Sequence, residues 1–435
     1  MNYKPVIGLE VHVELKTNSK MFCSCSADYF GQEPNTHTCP VCLGLPGALP
    51  FPNKKAIEWC VMIGLSLNCE IPLFSKFDRK NYFYPDLSKG YQISQYDMPF
   101  CQSGFIELSN GKKIGITRVH MEEDTGKLIH IGNSSLIDFN RSGVPLVEIV
   151  TEPDFETSQE VKEYLQKLQQ IVRYLGVSNA DMEKGNMRLE PNISLRKEGE
   201  KDLPKYKVEV KNINSFGFVG KAIDFEIERQ KEILERGKTP VQETRGFVEK
   251  NSSTVSQRVK EEASDYRYFP EPDIPPIRWT KDEIEKLKTS LPELPDARAK
   301  RLVKELSIRI SDAVTVTDTI EAANVFEDAI KVGLKQGIDP QKLTNFIVNR
   351  KTDFSNELPA EIVKNFISAK KTIAINENDL EEIINRVLKE NPNAVLDYKK
   401  GKETVIMFLV GQVMRQFKEK VDAEKIKAVL TAKLK

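Results

Sequence analysis

The sequence lacks any apolar run as long as a membrane-spanning helix, which needs about 20 consecutive apolar residues. Hydrophobic residues make up 40% of the chain and charged residues 29%, which is typical of globular proteins. The first five residues lead directly into a strand pattern and so differ from a signal or transit peptide. We therefore expect no membrane insertion, no targeting segment and a cytoplasmic location.

The sequence also lacks an excess of charge of either sign, because lysine and arginine balance aspartate and glutamate at 64 each. No overall positive field therefore indicates a nucleic-acid partner. Residues 399–435 are an exception, with ten Lys or Arg against four Asp or Glu and a net charge of +6. This end of the chain is suited to phosphate contacts, although a solvated helix face has the same composition.

Several nucleotide and metal motifs are missing as well. The sequence contains no G-x-x-x-x-G-K-[ST], no dinucleotide-binding G-x-G-x-x-G and no H-E-x-x-H. A bound nucleotide would therefore need a different arrangement of residues.

The 435 residues exceed the size of a typical single core, so we expect two or three domains. Residues 1–292 mix short strand patterns with a few helices and contain every His and Cys of the chain. The proline-rich segment 269–276 should form no regular structure, and after it the pattern becomes helical. We predict an α+β fold, with a β-rich domain at 1–292, an all-helical domain at 293–365 and a small helical tail domain at 366–435.

Hydrophobic periodicity predicts the main elements of the first domain. Residues 6–15 alternate, with Val11 and Val13 on one strand face and Glu10 and His12 on the other. Further strands are predicted at 113–120, 146–150, 188–195 and 206–211, and helices at 158–175 and 219–236. Ser158 should cap the first of these helices, and Gly176 should end it.

Four cysteines form two close pairs that are separated by thirteen residues. The pairs are Cys23 with Cys25 and Cys39 with Cys42. Four thiolates at this spacing can surround one tetrahedral Zn²⁺. Disulfides are disfavoured in a reducing cytoplasm, whereas a redox pair and plain free thiols are the alternatives to a structural zinc site. His37 lies between the pairs and could replace one ligand.

Acidic residues recur beside the predicted strands. They are Glu10 near His12, Glu122, Glu123 and Asp124 after His120, Glu148, and Glu190. Carboxylates with one imidazole suit Mg²⁺, which keeps waters and bridges nucleotide phosphates through one or two carboxylates. For Glu10 and His12 the competing interpretation is an ordinary polar strand surface.

The segment 77–95, FDRKNYFYPDLSKGYQISQ, places Arg79, Lys80 and Lys89 among five aromatic residues. Cations with aromatic rings can hold phosphates and stack a base. The alternative is a segment that contributes to a core and its rim.

Six strings, in order along nearly the whole chain, resemble the B subunits of the bacterial tRNA-dependent amidotransferases, the GatB family. They are VIGLEVHVEL (6–15), FDRKNYFYPDLSKGYQISQ (77–95), GITRVHMEEDTGK (115–127), LVEIVTEPD (146–154), DYRYFPEPDIPP (265–276) and GKETVIMFLVGQVM (401–414). The resemblance implies a cradle-shaped α/β domain, then a helical domain and a small tail domain.

The resemblance also implies a reaction and partners. The B subunits use ATP and Mg²⁺ to phosphorylate the side-chain carboxylate of Glu-tRNA(Gln) or Asp-tRNA(Asn), and ammonia displaces the phosphate. The amidase, or A, subunit makes the ammonia from glutamine, and a small C subunit completes the heterotrimer. This sequence contains no Ser-cis-Ser-Lys amidase signature, so we expect glutamine hydrolysis to occur in a partner.

The resemblance assigns residues to these roles. The residues that match the Mg²⁺ and activation site are Glu10, His12, Glu123 and Glu148. The residues of the strongest string that we predict to bind ATP are Arg79, Lys80 and Tyr82. The four paired cysteines match the zinc-binding version of the cradle. The string that contains Gly411 and Gln412 resembles the part that contacts tRNA beyond its acceptor end.

Two features depart from the family pattern. The stretch Leu189-Glu190-Pro191-Asn192 replaces the usual CDAN, which puts the role of the family's aspartate in doubt, and the region 340–380 is shorter than usual. Two other functions are compatible with the sequence. One is a non-catalytic zinc-containing scaffold that binds tRNA, and the other is a stand-alone carboxylate-activating ligase that uses free ammonia.

Overall fold

The structure is a computed structural model in which residues 2–259, 266–370, 377–417 and 423–434 are described. Asp265 of the fifth string, residues 371–376 of the region predicted to be shortened, and residues 418–422 and Lys435 of the basic end lie outside the described residues. The chain divides into two compact units, Met1–Arg298 and Ala299–Lys435. The three-domain division inferred from the sequence stays a prediction.

The first unit is built on one large mixed sheet. In chain order its strands are β1 (Tyr3–Glu14), β2 (Phe74–Ser75), β3 (Asp78–Asn81), β4 (Tyr91–Ser94), β5 (Cys101–Glu107), β6 (Lys113–Glu123), β7 (Lys127–Ile131), β8 (Ser134–Asp138), β9 (Pro145–Thr151), β10 (Met187–Lys197), β11 (Val208–Lys211), β12 (Glu243–Val248), β13 (Ser253–Val259), β14 (Phe269–Pro270) and β15 (Ile277–Arg278). Eight of the strands of this unit form the large sheet, in the order β5-β6-β9-β1-β10-β11-β12-β13, and the others lie in smaller sheets. The β11–β12 pair is parallel, whereas β1 pairs antiparallel with both β9 and β10.

Some helices cover one face of this sheet, and others form the second unit. In chain order they are α1 (Lys54–Ser66), α2 (Ser158–Tyr174), α3 (Phe216–Glu235), α4 (Lys281–Thr289), α5 (Pro295–Leu306), α6 (Ile310–Val316), α7 (Ile320–Lys335), α8 (Pro340–Arg350), α9 (Pro359–Lys370), α10 (Glu377–Glu390), α11 (Pro392–Lys399), α12 (Val405–Arg415) and α13 (Ala423–Leu434). The predicted α+β fold is confirmed. Among the helices that the structure describes, none combines the length and apolar character needed to cross a membrane.

The alternation of β1 separates an apolar face from a polar face. Val11 and Val13 are fully buried and belong to the same hydrophobic core as Leu165 and Leu168 of α2. Apolar side chains of α1 and α3 complete that core. The other face of β1 carries His12 and its acidic neighbours, so the apolar core and the polar side chains lie on opposite sides of the strand.

The predicted helices are present, with corrected starts. Thr157 caps α2 instead of Ser158, because Thr157 has an extended backbone and its side chain accepts the Glu160 N–H. The second helix begins at Phe216, before the predicted residue 219, because Ser215 caps it. Gly176 follows α2 with a φ of +67°, the left-handed conformation that ends helices.

The proline-rich segment 269–276 contains one short strand, so the prediction that it forms no regular structure is wrong for Phe269 and Pro270. These residues pair with Arg79 and Asp78 of β3, in a small sheet of order β14-β3-β4. A proline is tolerated there because β14 is an edge strand. This pairing places the fifth string beside the second.

Among its described residues, the second unit contains two separate hydrophobic clusters. One is formed by side chains between Ala299 and Phe366, and the other by side chains between Leu380 and Leu434. Buried apolar positions of α12, such as Leu409 and Val413, belong to the second cluster. The helical character expected after the β-rich region is therefore present.

Candidate active site

The polar face of the sheet carries a row of titratable side chains. In the β1–β9–β6 ladder His12 lies opposite Glu148, and Glu148 lies opposite His120. Directly paired residues of neighbouring strands point to the same face, so the three side chains meet. The distance from His120 Nε2 to Glu148 Oε2 is 3.2 Å, and that from His12 Nε2 to the same oxygen is 3.6 Å.

Glu122 joins this row from β6. It lies two residues after His120 and therefore on the same strand face, with its Oε1 3.6 Å from His12 Nε2. Ligand atoms of His12, Glu122 and Glu148 lie within 4.8 Å of one another, close enough to share a metal ion. We call these three residues the imidazole–carboxylate cluster. The Lys80 ammonium lies 4.0 Å from Glu122 Oε2.

Burial and mutual attraction determine the charges of this cluster. Burial lowers the pKa of His12, but its bond to Glu148 and the charges of Glu148 and Glu122 outweigh burial and raise that pKa to about 9. Burial opposes ionisation of Glu148, yet the charges of His120 and His12 hold its pKa well below the usual value. In the metal-free protein a protonated His12 thus faces an ionised Glu148, and a cation would displace the imidazole proton.

Three further carboxylates converge next to this row. Glu10 pairs with Glu190 across β1 and β10, and Asn192 pairs with Glu209 across β10 and β11. Ligand atoms of Glu10, Glu190 and Glu209 lie within 4.8 Å of one another, and we call these residues the carboxylate cluster. Lys211 balances part of the charge, with Nζ 2.9 Å from Glu190 and 3.7 Å from Glu209.

The charge of the carboxylate cluster is incompletely compensated. Burial is the largest cause that raises the pKa of Glu10, and the charges of Glu148, Glu190 and Glu209 raise it further. Asn192 donates to Glu10 Oε1 at 3.0 Å, whereas its own Oδ1 is buried without a hydrogen-bond partner among the described residues. A cation here would relieve the repulsion and could satisfy that oxygen.

Glu123 lies on the opposite strand face from Glu122, because neighbours in a strand alternate. Its Oε1 accepts hydrogen bonds from Lys89 Nζ and from the Ile93 N–H, the latter at 2.9 Å. Its side chain lines a cavity of about 270 Å³ that also borders the cysteine loop.

The four residues predicted to bind one Mg²⁺ therefore occupy three places. The structure brings His12 and Glu148 together, puts Glu10 in the carboxylate cluster and turns Glu123 toward the cavity. Glu122, and not Glu123, lies with His12 and Glu148, and Mg²⁺ binding by these residues stays a prediction. Strand parity could have found Glu122, since it follows a histidine of the polar face by two residues.

The three residues predicted to bind ATP make different contacts. The Arg79 guanidinium donates to both carboxylate oxygens of Glu271, at 2.6 and 2.9 Å, and so fixes β14 against β3. Tyr82 donates its hydroxyl to Gln92 Oε1 at 3.3 Å. Lys80 is the member of the set that approaches the imidazole–carboxylate cluster.

The four paired cysteines lie together in the loop between β1 and α1. Sulfur atoms of Cys23, Cys25, Cys39 and Cys42 lie within 4.8 Å of one another. The buried Lys20 ammonium donates to the His37 carbonyl at 2.7 Å and lies 3.7 Å from Cys42 Sγ. A hydrogen bond from Cys23, and then the charge of Lys20, lower the pKa of Cys42 to about 5. His37 contributes its carbonyl here and is not a member of the four-ligand set.

Comparison with known proteins gives a consistent result. Residues 5–285 match the family model of the GatB/GatE catalytic domain, and residues 358–434 match that of the GatB domain. The chain is 45% identical to the B subunit of the aspartyl/glutamyl-tRNA(Asn/Gln) amidotransferase of Persephonella marina over 479 residues, which cover 100% of both chains. It is 44% identical to the protein of the same name from Carboxydothermus hydrogenoformans over 481 residues, 99% of each chain.

The protein of the same name from Caldicellulosiruptor saccharolyticus is 44% identical over 480 residues, which cover 100% of this chain and 99% of that protein. These alignments are longer than the 435 residues of the chain, so the relatives have segments that it lacks. The chain, with both models matched in order and this identity over its length, belongs to the GatB family of aminoacyl-tRNA amidotransferase B subunits.

Proposed function

We propose that this chain uses ATP and Mg²⁺ to phosphorylate the side-chain carboxylate of Glu-tRNA(Gln) or Asp-tRNA(Asn), and that ammonia then converts the acyl phosphate to the amide. The pair of acidic clusters on one face of the sheet is the observation that carries the proposal. The names of the relatives, which state action on aspartyl- and glutamyl-tRNA, support the choice of substrate.

Activation is required because a carboxylate has no good leaving group for attack by ammonia. The γ-phosphoryl group of ATP passes to a carboxylate oxygen and ADP is released. Ammonia then attacks the acyl carbon, the C–O bond to phosphate breaks, inorganic phosphate leaves, and the amide nitrogen loses a proton. Phosphoryl transfer gathers negative charge on the moving group, so positive charge must be placed beside it.

The donor sets fit Mg²⁺, which prefers carboxylate oxygens and retains waters. The imidazole–carboxylate cluster would hold one ion, and the carboxylate cluster a second. When bound, Mg²⁺ neutralises the charge that develops on the transferred phosphoryl group. Lys80 and Lys211 add fixed positive charge at the two clusters.

A cavity of about 350 Å³ adjoins Glu10 and offers a place for the nucleotide. Its lining combines the apolar Leu203 with the cations Lys205 and Lys207. A nucleoside needs apolar surface for its base, and its phosphates need nearby cations. We place ATP here, with its phosphates toward the carboxylate cluster, instead of at Arg79, whose guanidinium is already paired.

We also propose that the four clustered cysteines bind one structural Zn²⁺. Four sulfur ligands in a closed set are typical of a structural site, which keeps no open position for substrate. Lys20 supports this assignment, since its buried charge favours thiolates at the cluster. The ion would connect the two ends of a loop that has little regular structure of its own.

The partners proposed for the chain follow from its chemistry. The sequence has no amidase signature, and we propose that the amidase (A) subunit supplies the ammonia and that the small C subunit completes the complex. The misacylated tRNA is the third partner, with its acceptor end at the acidic clusters and its more distant parts at the basic tail, around Gly411 and Gln412.

A tRNA-amidation assay with ammonium chloride tests the proposal, because free ammonia bypasses the amidase. Glu148→Gln should lower turnover by at least about 100-fold and change the KM for Glu-tRNA(Gln) less than about threefold, since the ion acts mainly in the transition state. Glu200→Gln, an exposed glutamate outside the clusters, serves as the control. Amidation by Glu148→Gln at the wild-type rate, or no tRNA-stimulated ATP hydrolysis by the wild type, would instead favour a non-catalytic scaffold that binds tRNA.

A further inference from the structure

Four tyrosines gather beside β3. The rings of Tyr96 and Tyr268 stack with centroids 4.3 Å apart and an interplanar angle of 10°. Tyr266 meets Tyr268 edge to face at 6.0 Å, and Tyr82 meets Tyr266 in the same manner at 5.8 Å. We call Tyr82, Tyr96, Tyr266 and Tyr268 the tyrosine shelf. Two of its members come from the fifth string, which β14 brings next to β3.

The tyrosine shelf adjoins the imidazole–carboxylate cluster through Lys80. The Lys80 ammonium lies 4.0 Å from Glu122 Oε2 and 5.1 Å from the centroid of Tyr266. Burial is the largest cause that raises the pKa of Tyr268, which reaches about 12. Lys80 lowers this pKa, whereas the charges of Glu122 and Glu148 raise it further. The shelf and the proposed activation site are therefore immediate neighbours.

Backbone contacts hold the shelf in place before any ligand arrives. Asn81 donates its backbone N–H to the Tyr266 carbonyl and its side-chain amide to the Arg267 carbonyl, both at 2.9 Å. Arg267 has a φ of +44°, a conformation that non-glycine residues adopt at a cost. This residue lies between Tyr266 and Tyr268, whose rings meet edge to face.

One ring of the shelf is left open to a ligand. Tyr96 covers Tyr268 with one face, yet Tyr96 is 55% exposed. A planar aromatic face fixed by stacking on a second ring is a suitable platform for a nucleic-acid base, and such stacking does not depend on base identity. Single-stranded ends of RNA are commonly held in this way.

The chemistry of the substrate determines which base arrives there. In an aminoacyl-tRNA the amino acid is esterified to the terminal ribose, so its side-chain carboxylate is tethered to the terminal base through the amino-acid backbone and one sugar ring. A carboxylate at the imidazole–carboxylate cluster therefore limits how far from the cluster that base can lie. Among the described residues, the tyrosine shelf offers an aromatic surface next to that cluster.

We propose that the exposed face of Tyr96 stacks the 3′-terminal adenine of the tRNA and thereby positions the aminoacyl group at the imidazole–carboxylate cluster. The proposal rests on the proposed function, since it places the ester relative to the site of activation. The adenine of ATP has the same ring chemistry, but the cavity beside Glu10 offers it an apolar wall together with the cations that its phosphates need. The test must therefore distinguish the two sources of adenine.

Fluorescence of 2-aminopurine in place of the terminal adenine provides the test, because stacking on tyrosine quenches it. The full chain with its partner subunits is titrated with deacylated 2-aminopurine tRNA, and total tRNA affinity is measured separately by filter binding. The wild type and Tyr96→Phe should quench the probe, whereas Tyr96→Ala should abolish most of the quench. Tyr96→Ala should also raise the KM for Glu-tRNA(Gln) by about 10-fold, with a smaller change in kcat, because base stacking contributes substantially to affinity.

Phe30→Ala is the matched control, because Phe30 is 59% exposed and lies outside the shelf. Equal quenching by the wild type and Tyr96→Ala, or loss of the quench in Phe30→Ala instead, would overturn the proposal. Relief of the quench by a non-hydrolysable ATP analogue would assign the shelf to ATP and would also overturn it. The binding test needs no catalysis, so wild-type amidation without a quench would reject the shelf and leave the proposed function standing.

Discussion

The cysteine cluster and the acidic clusters of this chain are built in opposite ways. The cysteines lie in a loop of turns and bends between β1 and α1, where few backbone ladders fix their positions. The acidic residues lie on neighbouring strands of the large sheet, whose hydrogen-bonded ladders hold the backbone whether or not an ion is present.

This difference has an energetic consequence. A loop held by four thiolates would gain its order from the proposed Zn²⁺, so metal binding there would be part of folding. The sheet instead holds Glu10 close to other carboxylates although they repel it. Burial is the largest cause that raises the pKa of Glu10, and this repulsion raises it further. Zn²⁺ should therefore matter most for stability, and Mg²⁺ most for chemistry.

The largest expected effect is the loss of zinc. Elemental analysis of the wild type should find about one zinc per chain, and Cys39→Ser should lose that ion because it removes one of four ligands. The free energy of unfolding should fall by about 4 kcal/mol or more, because loss of a structural metal belongs to the most destabilising changes. Denaturant unfolding measures the change.

Ser24→Ala is the control for this prediction, since Ser24 lies exposed between Cys23 and Cys25. Its zinc content and stability should equal those of the wild type. A metal-free wild-type protein, or a Cys39→Ser protein of unchanged stability, would show that the loop holds itself together without an ion.

The acidic face should show the opposite behaviour. Glu122→Gln should lower kcat by about 100-fold or more and raise the Mg²⁺ concentration needed for half-maximal amidation, since it removes a ligand that acts in the transition state. Its free energy of unfolding in metal-free buffer should stay within about 1 kcal/mol of the wild type, because the sheet fixes the site. Amidation with ammonium chloride at graded Mg²⁺ measures both constants.

Glu123→Gln is the matched control, because it changes the adjacent residue on the other strand face. Its carboxylate is engaged by Lys89, so the Mg²⁺ requirement should equal that of the wild type. If Glu123→Gln raises the Mg²⁺ requirement and Glu122→Gln leaves it unchanged, Glu123 is the ligand and the two residues have been assigned to the wrong strand faces.

The two regions also differ in what the sequence reveals. The cysteine set could be predicted because its ligands lie within one loop and their spacing is visible, and the structure confirms that the four sulfurs meet. The acidic set depends on strand register. Glu209 lies on β11 and joins Glu10 only through two ladders, a relation that periodicity within one strand does not encode. Tyr266 and Tyr268 were likewise hidden, because prolines concealed the pairing of β14 with β3.

A smaller effect would sharpen the comparison within the acidic face itself. The carboxylate cluster is more repulsive than the imidazole–carboxylate cluster, since Glu10 lacks a histidine partner in its set. Mg²⁺ should therefore raise the Tm of the wild type, because ligand binding to the folded state stabilises it. Glu190→Gln should reduce that gain, whereas Ser24→Ala should keep it. Equal Mg²⁺-induced shifts in the wild type and Glu190→Gln would show that no ion binds at Glu190.

The smallest effect is expected at the basic end of the chain, where exposed lysines belong to neither acidic cluster. Lys399, Lys400 and Lys402 are exposed, and Lys402 also lies 3.1 Å from Asp397. Replacing all three with alanine should weaken tRNA binding about 10-fold and lower the slope of log K against log salt by up to about 3, because each phosphate contact releases counterions. Turnover at saturating tRNA should not change, since these residues lie outside the acidic clusters.

Lys281, Lys286 and Lys288 of α4 are exposed as well and provide a control with the same loss of charge. Equal weakening by the two triple variants would mean that net charge, and not the tail itself, governs tRNA binding.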